Sequence, residues 1–406
     1  MPSFKYPNTL NYFLLLSVFI ISPYYYQPNI GGLGLVLPFN LSAWACGIVF
    51  IVSVLFISSK ATSFLCTRLF YYCMVFPCTI ILAGIFTDNL QPVVWLFRQL
   101  YIIGGILFLF SLFQLKLTTF QVERLLYWIA FSALIHAFIG FLQLHDIDTL
   151  SGWMTMSANQ MPIGVFQQVN LQAIYLVSGI QICLYLISRP SFISTKVWIR
   201  AFFIFTISLS VYVALCTGSR AGSLSLILAS LVMLSSRYHQ LKRHRLIMLL
   251  IGLSVSLSVF LAQDGIHLAK EKTNQITSGE YQSIRSTMYA TTIDLIKEKP
   301  LLGYGIGSFP SVWAEQSIQF AKVHPNANIS QQTTNHPHNE ILLWMVEGGL
   351  LALIGIILIV IAIISALKYC GTSRGGAYAA LLIPISLHTQ VELPFYGSTI
   401  HWFFFN

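Results

Sequence analysis

The sequence predicts an all-α protein that crosses a membrane many times, and three observations support this fold class. Of 406 residues, 56% are hydrophobic and only 9% are charged, whereas a soluble domain carries about a quarter charged residues. Apolar runs of about 20 residues, the length that crosses a bilayer as a helix, recur along the chain. One long polar segment, 264–339, interrupts them. We therefore expect about 12 transmembrane helices and one large extramembrane loop that contains amphipathic helices.

The apolar runs define the predicted spans and the domain organisation. They lie at about 9–26, 39–58, 64–86, 93–115, 122–143, 167–187, 200–217, 221–236, 246–263, 340–367 and 375–391, and a twelfth begins near 399 and is cut off by the chain end. Lys5 precedes the first run without a convincing cleavage site, so we expect a retained span rather than a signal peptide. The predicted units are helices 1–9 in residues 1–263, a loop on the outer side of the membrane at 264–339, and helices 10–12 in residues 340–406.

Basic residues indicate the orientation of these spans. With the N-terminus in the cytoplasm, 14 of the 22 Lys and Arg residues fall in cytoplasmic segments, and most of the others lie in the long loop, where the positive-inside rule has little force. The formal charge of +9 therefore reflects topology, so we expect membrane lipids as partners and no nucleic acid. The seven cysteines lie in or beside apolar runs, which predicts no disulfide framework.

The long loop carries a helix signal followed by a turn signal. Apolar residues recur at helical spacing and predict an amphipathic helix at about 281–298, which ends before Pro300. These residues are Ile284, Met288, Tyr289, Ile293 and Ile296. The glycines of 301–309 predict a tight turn. Because no strand precedes them, they do not indicate a dinucleotide site.

The stretch Asn335-His336-Pro337-His338-Asn339-Glu340 stands at the mouth of the next span. Pro337 is tolerated only in the first turn of a helix, so the span has a defined start near Asn339. Unpaired N–H groups and the positive end of the helix dipole then lie beside His338, where they favour an anion such as diphosphate. The two histidines also offer a proton acceptor at the membrane surface.

His336 and His338 could instead bind zinc, because the pattern His-X-His occurs in metal sites. A catalytic zinc needs about three protein ligands. A third ligand could come from His267, His324, His388 or His401. No spacing favours one of them, so we expect no metal and prefer the proton acceptor.

Three arginines are candidates for function. Arg220 follows Thr217-Gly218-Ser219 in a very short outer turn, where a charge close to hydrocarbon is costly. The side chain of Arg220 could simply reach the lipid headgroups. The turn does not need a charge, however, and Gly222 leaves room for a ligand, so we favour a functional role for Arg220. Arg285 is either a solvated helix charge or a functional residue. Arg98, in the outer part of its span, either lines a cavity or reaches the interface.

Two carboxylates face one side of the predicted span that follows the histidines. Glu340 and Glu347 are seven residues apart, which places them on one helix face. An isolated carboxylate at Glu347 would be costly inside the membrane, so we expect it to pair with an arginine or a histidine. We expect Glu340 to orient a histidine.

Two further stretches place polar groups on the same side of the membrane. Gln168 and Asn170 open a span, where their amides could bind sugar hydroxyls, and Asn170 could instead cap the helix. Near the C-terminus, Glu392, Tyr396 and His401 form a second polar group that we expect to bind substrate. Polar groups thus converge from several segments, which predicts a functional site at this end of the protein.

Several of these motifs together resemble a known family. The pattern His336-Pro337-His338-Asn339-Glu340, followed by Glu347-Gly348-Gly349, resembles the signature of the bacterial O-antigen ligase and polymerase superfamily. Supporting stretches are Gly218-Ser219-Arg220-Ala221-Gly222 and Pro300-Leu301-Leu302-Gly303-Tyr304-Gly305, and the resemblance covers about 160–400. Within the superfamily, Gly164-Val165-Phe166-Gln167-Gln168-Val169-Asn170 and Glu392-Leu393-Pro394-Phe395-Tyr396 are most similar to O-oligosaccharyltransferases that glycosylate pilin and other secreted proteins.

The resemblance implies a GT-C-like fold and an enzyme of the bacterial inner membrane. Such enzymes move a glycan from undecaprenyl diphosphate to an acceptor hydroxyl in the periplasm, without a metal, a cofactor or a nucleotide sugar. It implies that His338 is the general base, with His336 as the alternative, and that the anomeric configuration inverts. Arg220 and Arg285 would stabilise the departing diphosphate, and Glu340 would orient the imidazole.

Three alternatives stay open at this point. An O-antigen ligase would use a hydroxyl of lipid A-core as the acceptor, whereas an O-antigen polymerase would use a second lipid-linked glycan. A transporter of the same lipid would need polar residues along the inner half of the bundle as well. The sequence places them mainly on the outer half, which favours the enzyme.

Overall fold

The computed structural model describes residues 7–29, 31–32, 34–60, 64–87, 91–147, 154, 160–277, 284–325, 327, 329 and 334–405. Within these ranges every regular element is a helix. The first half of the chain holds α1 (Pro7–Ile20), α2 (Pro38–Ser59), α3 (Arg68–Phe86), α4 (Pro92–Leu115), α5 (Thr119–Leu144) and α6 (Val169–Ile187). The second half holds α7 (Val197–Cys216), α8 (Arg220–Ser236), α9 (Tyr238–Leu241), α10 (Arg245–Leu261), α11 (Gln263–Thr277), α12 (Ile284–Glu298), α13 (Phe309–Val323), α14 (Glu340–Tyr369), α15 (Gly371–His388), α16 (Pro394–Gly397) and α17 (Thr399–Phe405).

Eight helical stretches in the described ranges are long and apolar enough to cross a membrane: α2 to α7, the stretch Tyr238–Leu261 that contains α10, and α14. Each coincides with a predicted span. The predicted spans at 9–26 and 221–236 correspond to shorter apolar helices, Thr9–Tyr24 and Arg220–Ser236. The spans predicted at 375–391 and from 399 correspond to α15 and to the short α17. The predicted fold class, an all-α multi-pass membrane protein, is confirmed, and the division into three units stays a prediction.

Helix α6 is the centre of the bundle. Every residue from Leu171 to Ile187 is buried, which is the behaviour of a helix that is apolar on all sides and enclosed by others. Helices α5, α7, α8 and α15 pack around it. Gly179 of α6 allows a close approach to α5, because a Cβ there would overlap the side chain of Ala133.

Helix α14 is broken near its start, and the glycine-rich turn of 301–309 fills the break. Gly349 has φ +59° and ψ −153°, so it departs from helical geometry. The backbone groups freed there bond to the turn through Tyr304 N to Val346 O (2.8 Å), Gly305 N to Glu347 O (3.0 Å) and Leu350 N to Pro300 O (2.9 Å). A Cβ on Gly349 would overlap the carbonyl of Leu301, and one on Gly303 would overlap the backbone of α14. The predicted tight turn is confirmed, and its glycines are explained by this contact.

The amphipathic helix of the loop is present as α12, but part of its predicted apolar face was wrong. Ile284 and Ile293 are 43% and 44% exposed. The buried residues are Thr287, Met288, Thr291, Thr292 and Leu295. The face is rotated because α12 packs against α13 and α14, and threonine hydroxyls can be buried when they bond to carbonyl groups of their own helix.

Candidate functional site

Two chain segments lie side by side where α14 begins and α15 ends. The side chain of Asn339 accepts a hydrogen bond from Leu342 N at 3.0 Å and so caps α14, as Pro337 and its neighbours predicted. Asn339 also donates to Gln390 O at 3.1 Å, and Glu340 N donates to Thr389 O at 2.9 Å. These bonds hold the histidine segment against the residues that follow α15, which brings His338 to Glu392.

His338 and Glu392 form the central contact of the site. His338 Nδ1 lies 2.7 Å from Glu392 Oε2. An ionised carboxylate can only accept hydrogen bonds, so Nδ1 carries the hydrogen, and a neutral His338 then has its lone pair on Nε2. The backbone of His338 is left-handed, with φ +52°, which is uncommon for a residue other than glycine and is found at functional sites.

Arg285 of α12 binds the other oxygen of the same carboxylate. Its Nη2 lies 3.0 Å from Glu392 Oε1. Burial alone would raise the pKa of Glu392, but the hydrogen bond from His338 and the charge of Arg285 outweigh it, so the pKa is lowered. Glu392 is therefore ionised at neutral pH. Tyr289, on the same helix as Arg285, donates a long hydrogen bond of 3.5 Å to His338 O.

His336 supports His338 rather than competing with it. The two rings lie 4.5 Å apart between centroids, at 77°, and His338 N donates to His336 Nδ1 at 3.2 Å. Burial and then the neighbouring His338 lower the pKa of His336 to about 4, so this imidazole is neutral at pH 7. One ligand atom each of His336, His338 and Glu392 lie within 4.8 Å of one another, so these three residues could hold a metal ion.

Arg220 is fixed by the short turn that precedes α8. Gly218 has φ +60°, and the hydroxyl of Ser219 caps α8 by accepting from Gly222 N at 3.1 Å. The same hydroxyl donates to Asn170 Oδ1 at 2.6 Å, which ties the turn to the start of α6. The side-chain oxygen of Asn170 thus holds the turn that carries Arg220, and the binding of sugar by its amide stays a prediction.

Arg285, which binds Glu392, has Arg220 as a cationic neighbour, and Arg220 in turn has Lys272. Arg220 Nη1 donates to Lys272 O at 3.2 Å, which joins the start of α8 to α11. Burial and then the charge of Arg220 lower the pKa of Lys272, and Arg285 is close enough for its charge to act on Arg220. Like charges repel, so their gathering favours an anionic ligand between them. Lys272 was not predicted, and its 52-residue separation from Arg220 gives no signal in the sequence.

A second ion pair lies in the interior, between α4 and the break in α14. Arg98 Nη1 bonds to Glu347 Oε2, and the side chain of Glu347 is fully buried. Glu347 also accepts from Phe309 N at 3.3 Å, while the guanidinium of Arg98 lies 4.8 Å from the ring centroid of Tyr396. The predicted pairing of Glu347 is confirmed. Of the two alternatives for Arg98, reaching the interface is excluded, because its side chain is only 14% exposed.

The predicted role of Glu340 was wrong. Its Oε2 accepts from Trp344 Nε1 at 3.2 Å, and its Oε1 has no hydrogen-bond partner among the described residues, so Glu340 does not orient His338. The reason is that His338 lies before the helix cap with a left-handed backbone, and the spacing rules of a helix do not apply across it. Glu392, which we had expected to bind substrate, takes that position.

Two other predicted residues, Gln168 and His401, are not among the described hydrogen-bond partners of the Glu392 carboxylate. Gln168 stands at the N-cap of α6 without a side-chain capping bond. His401 is 2% exposed and packs in an aromatic cluster, with its ring centroid 4.9 Å from that of Phe166 and 5.7 Å from that of Tyr175. The structure therefore places His401 inside the bundle rather than on an open surface.

The fold and the site together define a multi-pass α-helical membrane protein with a histidine–carboxylate pair and a cationic cluster around one group of helix ends. Residues 201–357, which are 157 of the 406 residues, match the family described as O-antigen ligase, and this match supports the O-antigen ligase and polymerase superfamily that the motifs predicted. This range includes Arg220, Arg285 and His338, whereas Glu392 lies beyond it. Comparison with curated proteins gives no match. The narrower resemblance to O-oligosaccharyltransferases stays a prediction.

Proposed function

We propose that the protein transfers a glycan from undecaprenyl diphosphate to an acceptor hydroxyl, at the periplasmic face of the bacterial inner membrane. The observation that carries this proposal is the hydrogen bond of 2.7 Å between His338 Nδ1 and Glu392 Oε2, with Arg285 on the other carboxylate oxygen. An imidazole held by an ionised carboxylate is an effective general base. Its O-antigen ligase family supports a lipid-linked donor.

His338 Nε2 is the proposed proton acceptor. As the acceptor oxygen attacks the anomeric carbon, its O–H proton passes to Nε2, and the bond between that carbon and the phosphate oxygen breaks. The positive charge then on the imidazole is stabilised by Glu392 through Nδ1. Attack from the side opposite the leaving group inverts the anomeric configuration. His336 fixes the backbone of His338 and is not the base in this proposal.

The cationic cluster is the proposed diphosphate site. Arg220, Lys272 and Arg285 come from three different helices, so they can surround a ligand that enters between them. When the glycosidic bond breaks, the diphosphate gains negative charge, and fixed cations stabilise that charge more than they stabilise the bound donor. This leaving-group role requires no metal and no nucleotide sugar.

The remaining predicted residues do not take part in the proposed proton transfer. Arg98 and Glu347 hold α4 against the broken start of α14, and Tyr396 packs on the guanidinium of Arg98. We propose that Gln168, whose side chain caps no helix, binds sugar hydroxyls. Glu340 and His401 are buried, and neither has a part in the proton transfer.

The proposed acceptor is a Ser or Thr hydroxyl of a periplasmic protein such as pilin. The stretches Gly164–Asn170 and Glu392–Tyr396, which resemble those of O-oligosaccharyltransferases, support this choice. The second candidate is a hydroxyl of lipid A-core, which the description of the matching family, O-antigen ligase, supports. The two candidates share the base and the diphosphate site and differ only in the acceptor.

A transfer assay with the purified full-length protein in nanodiscs tests the proposal. Lipid-linked glycan is supplied alone, with pilin, or with lipid A-core, and the products are identified by mass spectrometry. We expect glycosylated pilin. Glycosylated lipid A-core would instead indicate a ligase, and a lengthened lipid-linked glycan would indicate a polymerase. In sealed proteoliposomes, movement of the lipid between leaflets without any transfer product would support a transporter and contradict the proposal. His324→Ala, an exposed histidine in the same loop, serves as the control variant.

A further inference from the structure

His336, His338 and Glu392 form a cluster whose donor atoms suit a metal as well as a proton. We propose that this trio binds a divalent transition metal ion of the Zn²⁺ type through His338 Nδ1, and that the bound ion inhibits the protein because the ring hydrogen of His338 then lies on Nε2, which can no longer accept a proton. One ligand atom from each residue lies within 4.8 Å of the other two. Binding itself does not depend on the proposed function, whereas the inhibition rests on it.

The local backbone brings the two imidazoles together. Left-handed geometry at His338 folds the segment back, so that the rings lie 4.5 Å apart and nearly perpendicular. The hydrogen bond from His338 N to His336 Nδ1 fixes this arrangement. In an extended chain, side chains two residues apart point to the same side but stand about 7 Å apart, so the left-handed turn at His338 accounts for the closer approach of the two rings.

The donor set matches the chemistry of zinc. Two imidazole nitrogens and one carboxylate oxygen are a known ligand set of zinc sites that keep a fourth position open. Tetrahedral bonds of about 2.0–2.1 Å place ligand atoms roughly 3.4 Å from one another. His338 Nδ1 and Glu392 Oε2, now 2.7 Å apart, would therefore separate slightly, and any pair near the upper limit of 4.8 Å would close by roughly 1.4 Å. The side chain of His338 is 32% exposed, which gives an ion access from solvent. A metal would replace the hydrogen that His338 and Glu392 now share.

Arg285 opposes the metal and makes the proposal testable. Its guanidinium lies 3.0 Å from Glu392 Oε1, so a divalent ion on the other oxygen would meet a positive charge at short range. We therefore expect weaker affinity than in a dedicated zinc site. Removing the charge of Arg285 should tighten metal binding, which is the opposite of its effect on an anionic ligand.

Binding is measured on the purified full-length protein with Co²⁺ as the spectroscopic probe and Zn²⁺ as the competitor. We expect tetrahedral Co²⁺ absorption bands for the wild type, and affinity losses of more than about tenfold in His336→Ala and in Glu392→Gln, because each lacks one ligand. Arg285→Gln should bind severalfold more tightly. The double variant His267→Ala/His324→Ala, which removes two exposed histidines of the loop region, should bind like the wild type. Circular dichroism and gel filtration confirm that each variant is folded.

Two results would overturn the metal site: wild-type protein without tetrahedral bands, or equal affinity in the wild type and in folded His336→Ala. Weaker binding in the double variant His267→Ala/His324→Ala would place the metal on the exposed histidines instead. Zn²⁺ should also inhibit glycan transfer over the range in which it displaces Co²⁺. Metal binding by a protein that transfers no glycan would refute only the proposed function, whereas transfer without metal binding would refute only this inference.

Discussion

Two arginine–carboxylate pairs in this protein have the same chemistry but different surroundings. The side chains of Arg98 and Glu347 are 14% and 0% exposed, and the carboxylate has a further partner in Phe309 N. The side chains of Arg285 and Glu392 are 36% and 11% exposed, and there the further partner is His338. The interior pair joins two helices that cross the membrane, whereas the open pair lies between loop segments.

The comparison teaches that surroundings, and not residue type, separate a structural ion pair from a functional one. A fully buried charge is tolerated only with a partner, so neither member of the interior pair can be released to bind a ligand. Solvent reaches the open pair, so Arg285 can turn towards an anion while Glu392 keeps its bond to the imidazole. The following predictions test this distinction, beginning with the largest expected effect.

Glu347→Ala should cause the largest loss of stability. It leaves Arg98 buried without its counter-ion, and breaking a buried ion pair in this way costs roughly 3–5 kcal/mol. Urea or thermal unfolding in detergent would measure the change. The double variant Arg98→Met/Glu347→Leu should recover part of the loss, since it buries no charge. A single variant as stable as the wild type would contradict the structural role of this pair.

Glu392→Gln should greatly reduce the rate of glycan transfer and have a much smaller effect on the free energy of unfolding. The amide oxygen can still accept from His338 Nδ1, but the negative charge that stabilises an imidazolium is lost. We expect the transfer rate to fall by about 100-fold or more. Because the side chain of Arg285 is 36% exposed and can be solvated without its counter-ion, the loss in the free energy of unfolding should stay below that of Glu347→Ala. Initial rates and unfolding curves give the two numbers, and a loss of stability as large as that of Glu347→Ala would remove the distinction between the pairs.

Gly349→Ala should weaken the contact between the glycine-rich turn and the break in α14, beside which Arg98 and Glu347 form their ion pair. Its Cβ would overlap the carbonyl of Leu301, and the left-handed backbone costs a residue other than glycine about 1–2 kcal/mol before the overlap is counted. We expect a loss of roughly 2 kcal/mol or more in the free energy of unfolding. Gly252→Ala in α10 is the matched control, because a Cβ there meets no other atom within 4 Å. Equal stability of the two variants would contradict our account of the break.

Asp294→Asn should have the smallest effect. Lys297 and Asp294 form a pair three residues apart on α12, with side chains that are 70% and 39% exposed. Solvent screens such a pair, so its removal should change the free energy of unfolding by about 0.5 kcal/mol or less. The change should shrink further at high salt. A loss comparable to that of Glu347→Ala would show that exposure does not govern these interactions.

Much of the fold could be predicted because its causes are local in the sequence. Each of the eight long apolar helical stretches coincides with a predicted run, since hydrocarbon requires about 20 apolar residues whatever the neighbours are. The start of α14 at Glu340 was also predictable, because Pro337 and Asn339 act within one turn. The rotated face of α12 was not, because it depends on which helices pack against it.

The site was predictable in its residue types and less so in its pairings. Charged groups near hydrocarbon are costly, which singled out Arg220 and Arg98. The partner of His338 is 54 residues further along the chain, and only the packing of α15 against α14 brings Glu392 to it. Spacing suggested Glu340 instead, because it assumed that helical geometry extends back to the histidine.

The most direct test of the proposed base is His338→Gln, with His324→Gln as the matched control. Binding of lipid-linked glycan and its transfer in a single turnover are measured on the same preparation. We predict that His338→Gln binds the donor with nearly wild-type affinity and transfers at least about 100-fold more slowly, because no group accepts the proton. A transfer rate equal to that of the wild type would contradict the assignment of His338 as the general base.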